Sequence, residues 1–103
     1  MRYNLKMNTI MLQHSAGLDR LATRYVWWES TEWAYAHPNI FLSNVMNLGH
    51  WDDIQILRMM VTDYILRQVL QNAPPGSFYP RSWDYWHVKL AIKPISPLPK
   101  RNY

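Results

Sequence analysis

The chain contains no cysteine, which removes disulfide frameworks, thiolate nucleophiles and the usual structural zinc sites. A reducing cytoplasm is the compartment expected for such a protein. Glycine is scarce, with three residues at positions 17, 49 and 76. The PPGSF stretch at 74–78 is no phosphate loop: it lacks the GxxxxGK[ST] pattern, and its two prolines remove two of the amides that a phosphate needs. Nowhere do eighteen apolar residues run without a charge, so no membrane-spanning helix is expected. At the amino end, Arg2 and Lys6 precede a mildly apolar patch, but Asn8, Thr9, Gln13 and His14 interrupt it. A secretory signal is therefore not expected, and residues 1–17 read as a poorly ordered leader.

Chemistry-bearing clusters are equally sparse. The four histidines, His14, His37, His50 and His87, show neither the i,i+3 nor the i,i+4 spacing with which one helix face offers two ligands to a metal. Asp52 and Asp53 beside His50 are better explained by helix capping and the helix dipole than by a bound cation. No serine stands in a GxSxG turn or near a His–acid pair. No catalytic residue, metal ligand or cofactor site is expected, and the chain reads as a non-enzyme.

The 103 residues, 49% of them apolar, are enough for one domain with its own core. The formal charge of +4 raises a nucleic-acid reading, and its distribution weakens that reading. Residues 1–17 carry +2 and residues 93–103 carry +3, whereas residues 18–92 hold six basic and seven acidic side chains, a net of −1. The basicity sits in the tails, while duplex binding wants convergent phosphate contacts.

Turn residues divide the chain into short helical pieces. LDRLATRYVWW at 18–28 places Leu18, Leu21, Ala22, Tyr25 and Trp28 at helical spacing. Ser30 or Thr31 caps a short turn that ends before Pro38. Pro38 opens a helix with an apolar stripe of Ile40, Phe41, Val45, Met46 and Leu48, and Gly49 stands where a left-handed terminal residue belongs. Residues 51–73 are helical, with apolar positions 54, 57, 60, 61, 64, 65 and 69 and a break favoured at Thr62-Asp63. Pro80 begins a last helix reaching about Ile92. Pro94, Pro97 and Pro99 then impose an extended basic tail, 93–103, whose loss is expected to leave the fold intact. The expected fold is all-α: a single small bundle of about four to five short helices over 18–92 with a Pro-rich tail.

The aromatic content is where function becomes readable. Trp83, Trp86, His87 and Leu90 stand at i, i+3, i+4 and i+7, so they share the core face of the last helix, with His87 a hydrogen-bonded core residue. Arg81, Tyr85 and Lys89 take the opposite face. Six tryptophans and seven tyrosines exceed what one small core holds. Trp27 and Trp28, adjacent in sequence, cannot both face the same interior. Exposed aromatic rings beside arginine are the material of protein-binding hot spots. The candidate partner-binding residues are therefore Trp27, Trp28, Arg81, Tyr85 and Lys89.

From about Leu18 to Ile92 the order of signals, LDRLATRYVWW, then NVMNLGHWDDIQILRMM, then ILRQVLQNAPPGSFYPRSWDYWHVKL, resembles a group of small bacterial helical proteins. These are encoded beside nucleotidyltransferase-type toxins of abortive-infection systems and are regarded as their antitoxins. VMNLGHWDD at 45–53 and FYPRSWDYWH at 78–87 carry the resemblance most specifically. The chain departs from the group in having Val61-Thr62-Asp63 where a glycine is usual between the central helices, and in its basic Pro-rich tail. The resemblance implies a cytoplasmic protein that binds and neutralises another protein, in this case a nucleotidyltransferase-like toxin, and implies no catalytic residue. The alternative from a different class is a DNA-binding regulator of helix-turn-helix type, with the motif at about 50–72.

Overall fold

A computed structural model describes residues 10–100, and the first nine and last three residues lie outside it. Among the described residues six α-helices succeed one another: α1 (Ala16–Tyr25), α2 (Thr31–Ala36), α3 (Pro38–Leu48), α4 (Trp51–Met60), α5 (Asp63–Gln71) and α6 (Pro80–Lys89). No strand occurs among the described residues, so the protein is all-α. The count exceeds the expected four to five because the turn before Pro38 is a helix of its own. Its N-cap is Ser30, whose hydroxyl accepts the Trp33 N–H at 3.0 Å.

α3 is the central element, touching α1, α2, α4, α5 and α6. A helix enclosed on several sides must be apolar around most of its circumference. Phe41, Leu42, Val45, Met46 and even Ser43 are buried there, while Ile40 and Leu48, expected in the core stripe, are exposed near its two ends. Gly49 also differs from expectation. Its φ of −64° is ordinary, and glycine is needed because a Cβ would stand 2.5 Å from the Val45 carbonyl oxygen and 2.8 Å from Ile54 Cδ1.

The break between α4 and α5 is real. Val61 adopts extended geometry and Thr62 caps α5, its hydroxyl accepting the Ile65 N–H at 3.3 Å. Breaking the helix resets its phase. Continued in phase from Leu57 and Val61 the buried stripe would reach Tyr64, whereas α5 buries Leu66, Val69 and Leu70 and leaves Tyr64 outside.

α1 ends three residues before Trp28. Val26 is its C-cap, buried in the core, and the chain turns there toward the Ser30 cap. Two tyrosine–aspartate hydrogen bonds anchor the helix: Tyr35 donates to Asp19 at 2.8 Å, and Tyr25 donates to Asp53 at 2.6 Å. The structured region also extends past 18–92 on both sides. Ile10 belongs to the core, His14 stacks on Tyr35 at 3.7 Å, and Leu98 packs against the core from the tail.

That tail has no regular structure from 93 to 100, yet it docks. The Ser96 carbonyl accepts the Trp83 indole N–H at 2.7 Å, and the Pro99 carbonyl accepts the Gly76 N–H at 3.1 Å. Trp83, Trp86, His87 and Leu90 are buried together as their spacing predicts. The Trp86 indole N–H donates to the Met46 carbonyl at 2.8 Å, and His87 Nδ1–H donates to the Trp83 carbonyl at 2.8 Å. Both indoles thus meet the requirement that a buried donor be satisfied.

Candidate functional site

All five residues singled out from the sequence lie on the surface. Trp27 and Trp28 occupy the turn between α1 and α2, 75% and 50% exposed, with their rings edge to face at 5.6 Å. Because the helix has already ended at Tyr25, both rings face outward rather than one. Arg81, Tyr85 and Lys89 form an i, i+4, i+8 row on the outer face of α6, opposite the buried tryptophans.

The structure does not bring these two sets into one pocket. Arg81 and Tyr85 line a groove of about 270 Å³ with Met46, Asn47, Gly49, Trp51, Ile54, Ser82 and Trp86, and neither Trp27, Trp28 nor Lys89 contributes to it. The groove runs between the α3–α4 junction and the first half of α6. Its floor is built by three ties: the Trp86–Met46 bond already described, the Ser82 hydroxyl donating to the Asn47 carbonyl at 3.1 Å, and the Tyr79 N–H donating to Asn47 Oδ1 at 2.8 Å. Tyr85 stands edge-on to Trp86 at 5.3 Å. Gly49 also lines the groove, with its backbone held close against Val45 and Ile54.

Trp51 is the residue that sequence reasoning missed. It is the first residue of α4, one turn before Ile54, and it is 65% exposed. Three of the six tryptophans are therefore at least half exposed. The signal was present, since Trp51 comes directly after a helix terminus and has only one turn of its own helix beside it.

Charge inside the protein is confined to structural ties. Asp53 is buried, and it accepts from Tyr25 and pairs with the half-exposed Arg24 guanidinium at 3.2 Å. The Tyr25 hydroxyl in turn accepts the His50 N–H at 3.1 Å, covering the start of α4. Burial first, and the Asp53 hydrogen bond second, raise the Tyr25 phenol above its ordinary pKa. The Tyr35 phenol is pushed up to about 12 by burial and by its bond to Asp19. Each of these groups is already engaged, so the arrangement fastens helices. Among the described residues, no three His, Asp or Glu side chains come together as a metal site demands, and no helix is long and apolar enough to cross a membrane.

In the alternative, DNA-binding reading the helix-turn-helix falls on α4 and α5. Its basic side chains are occupied internally: Arg58 donates to both oxygens of Asp63 at 3.1 and 3.3 Å, and Arg67 Nε–H donates to the Leu90 carbonyl at 3.0 Å. Phosphate contacts need cations that face outward. Comparison of the chain with protein-family models, with curated proteins and with solved structures found no match.

Proposed function

We propose that the chain is a small protein-binding module, an antitoxin-like or inhibitory partner that neutralises another protein in the cytoplasm. One observation carries this reading: Trp27, Trp28 and Trp51 are held at the surface of a domain that has already satisfied its core with Trp83 and Trp86. Each such ring offers on the order of 150–250 Å² for burial, and tryptophan, tyrosine and arginine dominate the energetics of protein interfaces. The resemblance of residues 45–53 and 78–87 to proteins encoded beside nucleotidyltransferase-type toxins points to the kind of partner. A duplex-reading role has less support, because Arg58 and Arg67 are engaged within the domain.

The test is co-expression with such a toxin, then binding measurements with the purified pair. The chain is expected to relieve growth inhibition, and Trp27→Ala or Trp28→Ala to weaken the complex by about 1–2 kcal/mol. Affinity is expected to vary little between about 50 and 200 mM salt, unlike phosphate-driven binding. Tight, salt-sensitive and sequence-selective binding of duplex DNA by the protein, with no effect on any toxin, would overturn the reading.

A further inference from the structure

The groove between the α3–α4 junction and α6 has a chemistry more specific than an apolar patch. Its walls and floor are Met46, Ile54, Trp51, Tyr85 and Trp86, and among the described residues the one charged side chain lining it is Arg81. Arg81 makes no ion pair among the described residues, where Arg24 pairs with Asp53 and Arg58 with Asp63. Asp84, three residues after Arg81, and Asp52, next to Trp51, are exposed and do not line the groove. The Trp51 indole N–H, the Tyr85 hydroxyl and the Asn47 amide also find no hydrogen-bond acceptor among the described residues, since the Asn47 bonds engage its oxygens. The lining therefore presents donors and a positive charge around an apolar floor. The first turn of α6 carries no acidic side chain, so its dipole adds to the field of Arg81 rather than opposing it.

Size narrows the occupant. At about 270 Å³ the groove is smaller than the roughly 300–1,000 Å³ of small-molecule sites. It suits one or two side chains of a partner, the scale of a hot-spot pocket with a polar rim.

We infer that this groove anchors an acidic, apolar segment of a partner protein, one aliphatic or aromatic side chain seating between the exposed rings of Trp51 and Tyr85 while an adjacent carboxylate takes Arg81. The inference rests on the protein-binding function proposed above and adds the partner's chemistry. It also assigns Trp51 and Arg81 a joint role. A planar guanidinium matches a carboxylate in two hydrogen bonds, so lysine is no substitute for Arg81.

The experiment titrates the full chain with a fluorescent twelve-residue peptide built from Leu, Phe, Asp and Glu. Two matched controls carry Lys in place of the acids or Ser in place of the apolar residues. The acidic, apolar peptide is expected to bind at least tenfold more tightly than either control. Trp51→Ala, Arg81→Gln and Arg81→Lys are each expected to weaken it about tenfold, with Met59→Ala, exposed and outside the groove, without effect. Trp51 and Arg81 are exposed, so a thermal melt of each variant should match the parent and confirm folding. Equal binding of the acidic and lysine peptides, or full affinity in Arg81→Gln, overturns the inference. So does sedimentation showing a dimer that Trp51→Ala dissolves, which would make a second copy the occupant. Toxin neutralisation that survives Trp51→Ala and Arg81→Gln but fails in Trp27→Ala would remove the groove and leave the broader function standing.

Discussion

Ala91 adopts φ 56° at the end of α6, in the left-handed region where a Cβ costs about 1–2 kcal/mol. The position is imposed by the helix terminus: the Ile92 N–H donates to the His87 carbonyl at 2.9 Å and the Ala91 N–H to the Val88 carbonyl at 3.1 Å, the paired bonds that favour glycine here. Replacing Ala91 by glycine relieves the strain but adds freedom to the unfolded chain, which offsets about 0.5–1 kcal/mol. Ala91→Gly is expected to stabilise by about 0.5–1 kcal/mol, read as a melting temperature several degrees higher. A lower melting temperature would show that the methyl packs usefully. Tyr35 gives a pH dependence of definite sign. Its phenol titrates near 12 in the fold and near 10 when unfolded. The folded form binds its proton more tightly, so this contribution is complete below pH 10 and is lost as pH rises toward 12. Two pH units correspond to about 2–3 kcal/mol. Denaturant titrations between pH 9 and 12 should show that loss, and Tyr35→Phe should reduce it while leaving the part due to Tyr25.

The junction between α3 and α4 turns on Gly49. Backbone, not a movable side chain, stands 2.5 Å from the position a Cβ would take. Gly49→Ala must therefore shift the end of α3 against α4, at a cost of about 1–3 kcal/mol. Because Gly49 also lines the groove, the same variant is expected to weaken peptide binding there. A chemical denaturation midpoint equal to that of the parent would show that the junction adjusts freely. The glycine was legible as a helix stop, but its cause was not. Sequence favours a left-handed cap after a helix, and only the approach of Ile54 from the next helix shows that close contact is the reason. The outward turn of Tyr64 has a similar origin, since apolar spacing through 60, 61, 64 and 65 reads as one stripe until the extended Val61 rotates α5 relative to α4.

The docked tail belongs to the whole molecule. Removing residues 93–103 strips the Trp83 indole of its acceptor on Ser96 and takes away Leu98, which packs against the core. A buried donor left unsatisfied costs about 1–3 kcal/mol. Truncation before Lys93 is expected to lower the midpoint of thermal unfolding measurably while keeping the helical signal. An unchanged midpoint would show that the tail binds without stabilising. The prolines correctly excluded helix and strand over this segment, but a chain that lacks regular structure still has carbonyls, and two of them find donors in the domain.

Helix class, the caps at Ser30 and Thr62, the break before Asp63 and the shared face of Trp83, Trp86, His87 and Leu90 are all written in consecutive residues. Each depends on spacing or on a side chain reaching two or three positions along its own backbone, and such terms are local. That one of Trp27 and Trp28 must be exposed was readable for the same reason, whereas the exposure of both follows from the end of α1 at Tyr25. What joins Trp51 to Arg81 across a groove is not local. It comes from α3 lying at the centre, from Trp86 donating to Met46 forty residues earlier and from Tyr25 reaching Asp53. Those contacts depend on which apolar faces meet once all six helices compete for one small interior, and no window of the chain contains that competition.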